Sequence, residues 1–134
     1  MDEIDKKIIS ILRKNSRTPT TAIAKKIKLT EGAVRYRVNE MLKIGDIKSF
    51  TIETKEEIEA IVLISTKPEI ETEKVSKIIK IIPDVTSVYE VSGDYDIICI
   101  VKRESVKDIN ETIEKIRAVD GVLETTTCLA LRKS

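Results

Sequence analysis

The sequence contains no histidine and no tryptophan, and only two cysteines, four glycines, three prolines, three tyrosines and one phenylalanine. Without histidine, the chain lacks the side chain that most often works as a general base or a neutral metal ligand near neutral pH. A zinc site built on Cys99 and Cys128 would have to borrow carboxylates for its remaining ligands. Both cysteines sit among apolar residues and read as buried thiols of a reducing compartment, so no metal and no cofactor is expected. The four glycines, Gly32, Gly45, Gly93 and Gly121, are too scattered to form a loop that cradles phosphates. These absences argue against an enzyme. No apolar run approaches the ~20 residues of a membrane span, and the opening MDEIDKK has no signal-peptide pattern. The expectation is a cytoplasmic protein with no membrane partner.

What is present describes a globular chain. Of 134 residues, 41% are hydrophobic and 35% charged, enough for two small domains or one ordinary one. Isoleucine is abundant, and the heavy Lys and Glu load beside it is a compositional hint of a thermophilic source. The net charge of +1 conceals a division near residue 50. Residues 1–50 carry 12 Lys/Arg against 6 Asp/Glu, whereas residues 51–134 carry 12 against 17. A basic head on an acidic body is what attraction to phosphate in one half would produce. A segment of this size can also drift to that charge with no partner, so the asymmetry alone decides nothing.

Periodicity organises the head. Ile4, Ile8, Ile11 and Leu12 recur at helical spacing, with acidic residues in the first turn and Arg13 and Lys14 in the last. Ser16-Arg17-Thr18-Pro19 breaks that helix, and a second short helix spans about Thr20 to Ile27. Lys28-Leu29 forms the turn, Thr30 is a good N-cap for a third helix through Ile44, and Gly45 ends it. Ile47 to Ile52 then alternates as a half-exposed strand would. Three short helices and a β wing make the outline of a winged helix-turn-helix over residues 1–50.

The remainder reads as one unit used twice. Strand, helix and strand over Glu59–Thr66, Thr72–Ile82 and Val85–Val91 recur as Asp96–Lys102, Ser105–Ala118 and Val122–Leu131. A shift of 37 residues sets Ile61 on Ile98, Leu63 on Ile100 and Val85 on Val122, with Pro83-Asp84 matching Asp120-Gly121. Val85, Ser87, Tyr89 and Val91 are expected on one face of their strand. The order βαββαβ is ferredoxin-like, giving an α+β chain with a connector at 51–58 and a second domain at 59–134. Ile61–Ile64 and Ile97–Val101 are apolar on both faces. With both helices on one side, the other face would be exposed, and a symmetric homodimer through this sheet is the simplest cover. The head of the same chain is the alternative cover.

The run Thr30-Glu31-Gly32-Ala33-Val34-Arg35-Tyr36-Arg37-Val38-Asn39-Glu40-Met41, followed by Gly45-Asp46-Ile47 and preceded by Ile4-Asp5 with Ile8 and Leu12, resembles the Lrp/AsnC (feast-famine) family of transcriptional regulators. The loop Gly93-Asp94-Tyr95-Asp96 before an apolar strand resembles that family's ligand-sensing domain. The chain departs from the family in its short connector, in the lack of an Asn-Pro-rich hinge, and in Asp46 after Gly45. The short connector resembles that of archaeal members linked to lysine biosynthesis. The resemblance implies double-stranded DNA with a pseudo-palindromic operator, an amino-acid effector at the oligomer interface, and assembly beyond the dimer into forms such as octamers.

Residue by residue, Val34, Val38, Met41 and Ala33 would face the core of the head. The candidate DNA-binding residues are then Thr20, Thr30, Glu31, Gly32, Arg35, Tyr36, Arg37 and Asn39. Arg35 can pair bidentately with guanine and Asn39 with adenine, whereas Arg37 is better suited to anchoring the helix or reaching a phosphate. Thr18, Thr21, Lys25, Lys26, Lys28 and Lys43 are candidates for phosphate contacts, and each equally suits a solvated helix face. For the effector the candidates are Gly93, Asp94, Tyr95, Asp96, Glu124, Thr125 and Thr127. Carboxylates would take an ammonium, while backbone amides and threonine hydroxyls would take a carboxylate. Gly93-Asp94 is also good hairpin chemistry with nothing bound, and the sequence leaves open which face of the last strand meets the pocket. An architectural DNA-compacting protein without an effector is the alternative function.

Overall fold

A computed structural model describes residues 1–55 and 57–134; Glu56, inside the expected connector, lies outside them. The chain divides into two compact units, Met1–Glu53 and Thr54–Ser134.

The first unit holds α1 (Glu3–Lys14), α2 (Thr20–Ile27) and α3 (Glu31–Ile44). Helix α1 begins in a capping box: the Asp5 N–H donates to Asp2 Oδ1 at 2.9 Å, and the Asp2 N–H donates back to Asp5 Oδ2 at 3.2 Å. Lys28, left-handed at φ 58°, ends α2 and lets the chain turn at once toward α3. There Thr30 Oγ1 accepts from the Ala33 N–H at 3.2 Å, and Gly45 closes the helix at φ 90°. The core is Ile8, Ile23, Ala24, Val34 and Met41, so every helix contributes, with Val38 packed against it. Ala33, expected inside, is only half-buried at its margin.

The β wing expected over Ile47–Ile52 is not formed; these described residues belong to no strand. Ile47 packs on the core while Phe50 and Ile52 stay exposed. Alternation marks which side chains would be buried, but a strand also needs a neighbour for its N–H and C=O groups. The other described elements of this unit are helices and offer none.

The second unit runs β1 (Ile58–Thr66), α4 (Thr72–Lys80), β2 (Val85–Glu90), β3 (Ile97–Arg103), α5 (Val106–Arg117) and β4 (Val122–Leu129). Its antiparallel sheet has the order β2-β3-β1-β4. Ala60, Val62 and Ile64 of β1 and Ile97, Cys99 and Val101 of β3 point into one core with Val75, Ile79, Ile109, Ile113 and Ile116 from the helices. Ile61, Leu63, Ile98 and Ile100 point the other way and are half-buried.

Register corrects the expectation for β2. Val85 lies opposite Val101 and Ser87 opposite Ile100, so Thr86 is an extra residue that flips the alternation. Val85 therefore faces the helices, while Ser87 and Tyr89 face outward with Ile100 and Ile98. The 37-residue repeat survives in the turns, where Asp84 at φ 72° and Gly121 at φ 100° are equivalent. Arg103 fastens the end of β3 to α5, donating to Thr112 Oγ1 at 2.8 Å and to the Asp108 carbonyl at 3.1 Å.

Candidate functional site

Helix α3 turns Val34 and Met41 inward, and this leaves Gly32, Arg35, Tyr36 and Asn39 exposed on the opposite side. Tyr36 is 67% exposed, a large aromatic surface for a residue with no core role. The Arg35 guanidinium donates to Glu31 Oε1, and Thr20 Oγ1 reaches the same oxygen at 3.0 Å. The start of α2 is thus tied to the start of α3. Those two bonds, Arg35 first, hold the Glu31 carboxyl below the usual carboxylate range.

Arg37 is engaged elsewhere. Its Nη1 donates to Asp2 Oδ2 at 2.7 Å and to Asp5 Oδ1 at 3.0 Å, fixing the middle of α3 to the start of α1. The bonds raise Arg37 above its ordinary value. Asp2 is pushed down to about 2, chiefly by the Asp5 N–H and then by Arg37. This places Arg37 as an anchor of α3. Lys25, Lys26, Lys28 and Lys43 are exposed and have no ion pair among the described residues. Thr18 Oγ1 is occupied locally, donating to the Asn15 carbonyl at 2.7 Å.

In the second unit a concavity of about 450 Å3 is lined by Arg117, Val122, Leu123, Glu124 and Thr125. It brings Glu124 and Thr125 together but not Thr127. Register settles the faces of β4: Thr125 and Thr127 lie opposite Ile64 and Val62 on the helix side. Glu124 lies opposite Ser65 on the other face, so Glu124 and Thr127 do not share one. Arg117, the last residue of α5, was not among the residues singled out from sequence. A basic residue in a final helical turn reads as a complement to the helix dipole, and only the packing of α5 beside β4 gives it another role.

The loop Gly93–Asp96 does not line this concavity within one chain. The Asp96 carboxylate accepts from the Thr66 N–H at 2.8 Å, and the Asp96 N–H donates to the Ile64 carbonyl at 2.9 Å. Asp96 therefore stitches the loop to β1, with the Thr66 N–H on one of its two carboxylate oxygens, Oδ2. Gly93, at φ 125°, and Asp94 are exposed, and Tyr95 is half-buried. Because Ile64 is paired with both Ile97 and Thr125, loop and concavity sit at the same end of the sheet, on either side of β1.

Residues 59–134 match the model of the Lrp/AsnC ligand binding domain, and residues 1–42 that of the AsnC-type helix-turn-helix domain. The HTH-type transcriptional regulator LysM of Sulfurisphaera tokodaii is 49% identical over 134 residues, covering 98% of this chain and 96% of that protein. Among solved structures, PH0061 superposes with a TM-score of 0.89 at 26% identity, covering 100% of this chain and 95% of that one. The regulator NMB0573 of Neisseria meningitidis, solved as an L-Met complex, superposes at 0.80 with 14% identity, covering 99% and 91%.

Proposed function

The chain belongs to the Lrp/AsnC family of helix-turn-helix transcriptional regulators, and from that premise we propose that it is a cytoplasmic, sequence-specific repressor or activator governed by an amino acid, with lysine the first candidate. It binds a pseudo-palindromic operator through α3, with Arg35, Tyr36 and Asn39 at the base edges and the unpaired lysines and Thr21 on the backbone. Thr30 and Gly32 allow close approach at the helix start. The observation that carries the effector reading is a concavity lined by one cation, Arg117, which also donates to Glu114 Oε1 at 3.2 Å and keeps further N–H donors, by one anion, Glu124, and by Thr125. That set complements an amino acid: the guanidinium takes the carboxylate and Glu124 takes an ammonium. The L-Met bound to the Neisseria regulator of the same fold supports this class of ligand.

The half-buried Ile61, Leu63, Ile98 and Ile100 with the exposed Tyr89 form the face by which two copies pair. In larger assemblies such as octamers, the loop of a second copy, with Gly93 and Asp94 exposed and Tyr95 half-buried, completes the effector site. Thermal-shift screening against the proteinogenic amino acids tests the reading, since a ligand of the native state raises the melting point by mass action. Lysine is expected to raise it, and Glu124→Gln and Arg117→Gln to cancel the rise. If no amino acid shifts either melting or DNA affinity, the chain is an architectural DNA-compacting protein instead.

A further inference from the structure

Glu31 occupies the first position of α3, yet it is not the helix cap. Thr30 Oγ1 already takes the Ala33 N–H. Instead Glu31 Oε1 receives two side-chain donors, Thr20 Oγ1 from the first position of α2 and the Arg35 guanidinium one turn along α3. Its second oxygen, Oε2, has no partner among the described residues, and the side chain is 39% exposed. A carboxylate on the basic, DNA-facing side of the head opposes the phosphate attraction that surrounds it. In the major groove it meets donors only from cytosine N4 and adenine N6, and acidic side chains pair with the cytosine amine. Arg35 spends one of its five N–H donors on Glu31 and keeps the rest, which suit the O6 and N7 acceptors of guanine.

Resting on the reading of α3 as the recognition helix, we propose that Thr20, Glu31 and Arg35 act as one unit that reads a cytosine through Glu31 Oε2 beside a guanine through Arg35. Thr20 fixes the carboxylate, and the carboxylate fixes the guanidinium. The unit carries no net charge, so it adds discrimination between sequences and little general affinity. The lysines supply the latter.

The test is selection of tight sites from a pool of randomised DNA duplexes by the full chain and by Glu31→Gln, Arg35→Ala and Thr20→Val, each first checked for an unchanged melting point. The wild-type chain is expected to enrich a motif with a fixed cytosine next to a fixed guanine in each half-site. Glu31→Gln should lose the preference at the cytosine, with binding to the wild-type motif weakened roughly five- to hundredfold. Its binding to an unrelated duplex should hold or strengthen, because a negative charge has gone. Arg35→Ala should lose the guanine, and Thr20→Val should blur both. If wild type enriches a motif that Glu31→Gln reproduces unchanged, this inference falls and the regulator reading stands. Equal weakening of Glu31→Gln on all duplexes means a structural role and also overturns it. If wild type enriches no motif, sequence-specific regulation itself is refuted, and this unit with it.

Discussion

Gly121 and Asp84 hold equivalent left-handed turns, but only one of them needs to be glycine. A Cβ built on Gly121 would lie 2.6 Å from Val75 Cγ2 and 3.1 Å from Ile70 Cγ2, and Val75 is fully buried. Gly121→Ala therefore has two costs. The left-handed backbone contributes about 1–2 kcal/mol, and forcing a methyl against a packed wall adds about 1–3 kcal/mol. Loss of about 2–5 kcal/mol in guanidinium denaturation at fixed protein concentration is expected. The Val75→Ala substitution alone should cost about 2 kcal/mol from lost burial. In the double variant the 2.6 Å clash with Val75 is gone and only the 3.1 Å approach to Ile70 is left, so most of the steric cost should disappear, leaving a coupling of about 1–3 kcal/mol. Asp84→Gly, which relaxes its backbone and gives up a 3.4 Å pair with Arg103, should stay within about 1 kcal/mol of wild type. Additivity of Gly121→Ala and Val75→Ala to within about 0.5 kcal/mol would refute the steric reasoning.

Three further outcomes follow from the same geometry. Ile23→Ala, at a fully buried site in the head core, should cost about 2–5 kcal/mol. A unit of this size holds only roughly 3–8 kcal/mol in all, so the head should melt at a markedly lower temperature, and DNA binding with it, while the second unit still melts as in wild type; one shared, shifted transition would contradict this. Asp2 is held at about 2 against an ordinary 3.8, so its stabilisation is complete above the ordinary value and is lost as pH falls through about 2. The melting point of Asp2→Asn should accordingly trail wild type at neutral pH and meet it near pH 2, and a gap that persists in acid would count against the Arg37 clamp. Burial pushes the Cys99 thiol up to about 11, whereas Cys128 is exposed. In native protein near neutral pH, a thiol reagent should spare Cys99 until the chain is unfolded, while Cys128, opposite Ile61 on the proposed pairing face, should react only where two copies have come apart; modification of Cys99 in the folded chain would show the core to be open.

Much of this was legible because it is local. Thr30 and Gly45 bound α3 through contacts within a few residues, and the repeat of Ile61 on Ile98 needs only alternation to be seen. The pieces that were not legible depend on neighbours distant in sequence. The wing over Ile47–Ile52 had the right alternation and no strand to pair with. The extra residue at Thr86 exists only relative to β3, so Val85 and Ser87 were set on one face when they occupy two. The bond from the Thr66 N–H to Asp96 joins residues 30 apart, so the structural part of Asp96's role could not be read from its loop. Arg117 reaches the rim of the concavity beside β4 only when α5 packs against that strand.

Among the described residues the cores of the two units have no member in common, and this has a genetic consequence. A subunit whose head core is broken keeps the packing of its sheet and, on the proposed pairing, still joins intact partners. A mixed assembly of that kind would reach only one half of a two-part operator. Lesions such as Ile23→Ala are thus expected to be dominant over a co-expressed normal copy. A lesion in the second core, which removes the subunit from assembly altogether, is expected to be recessive.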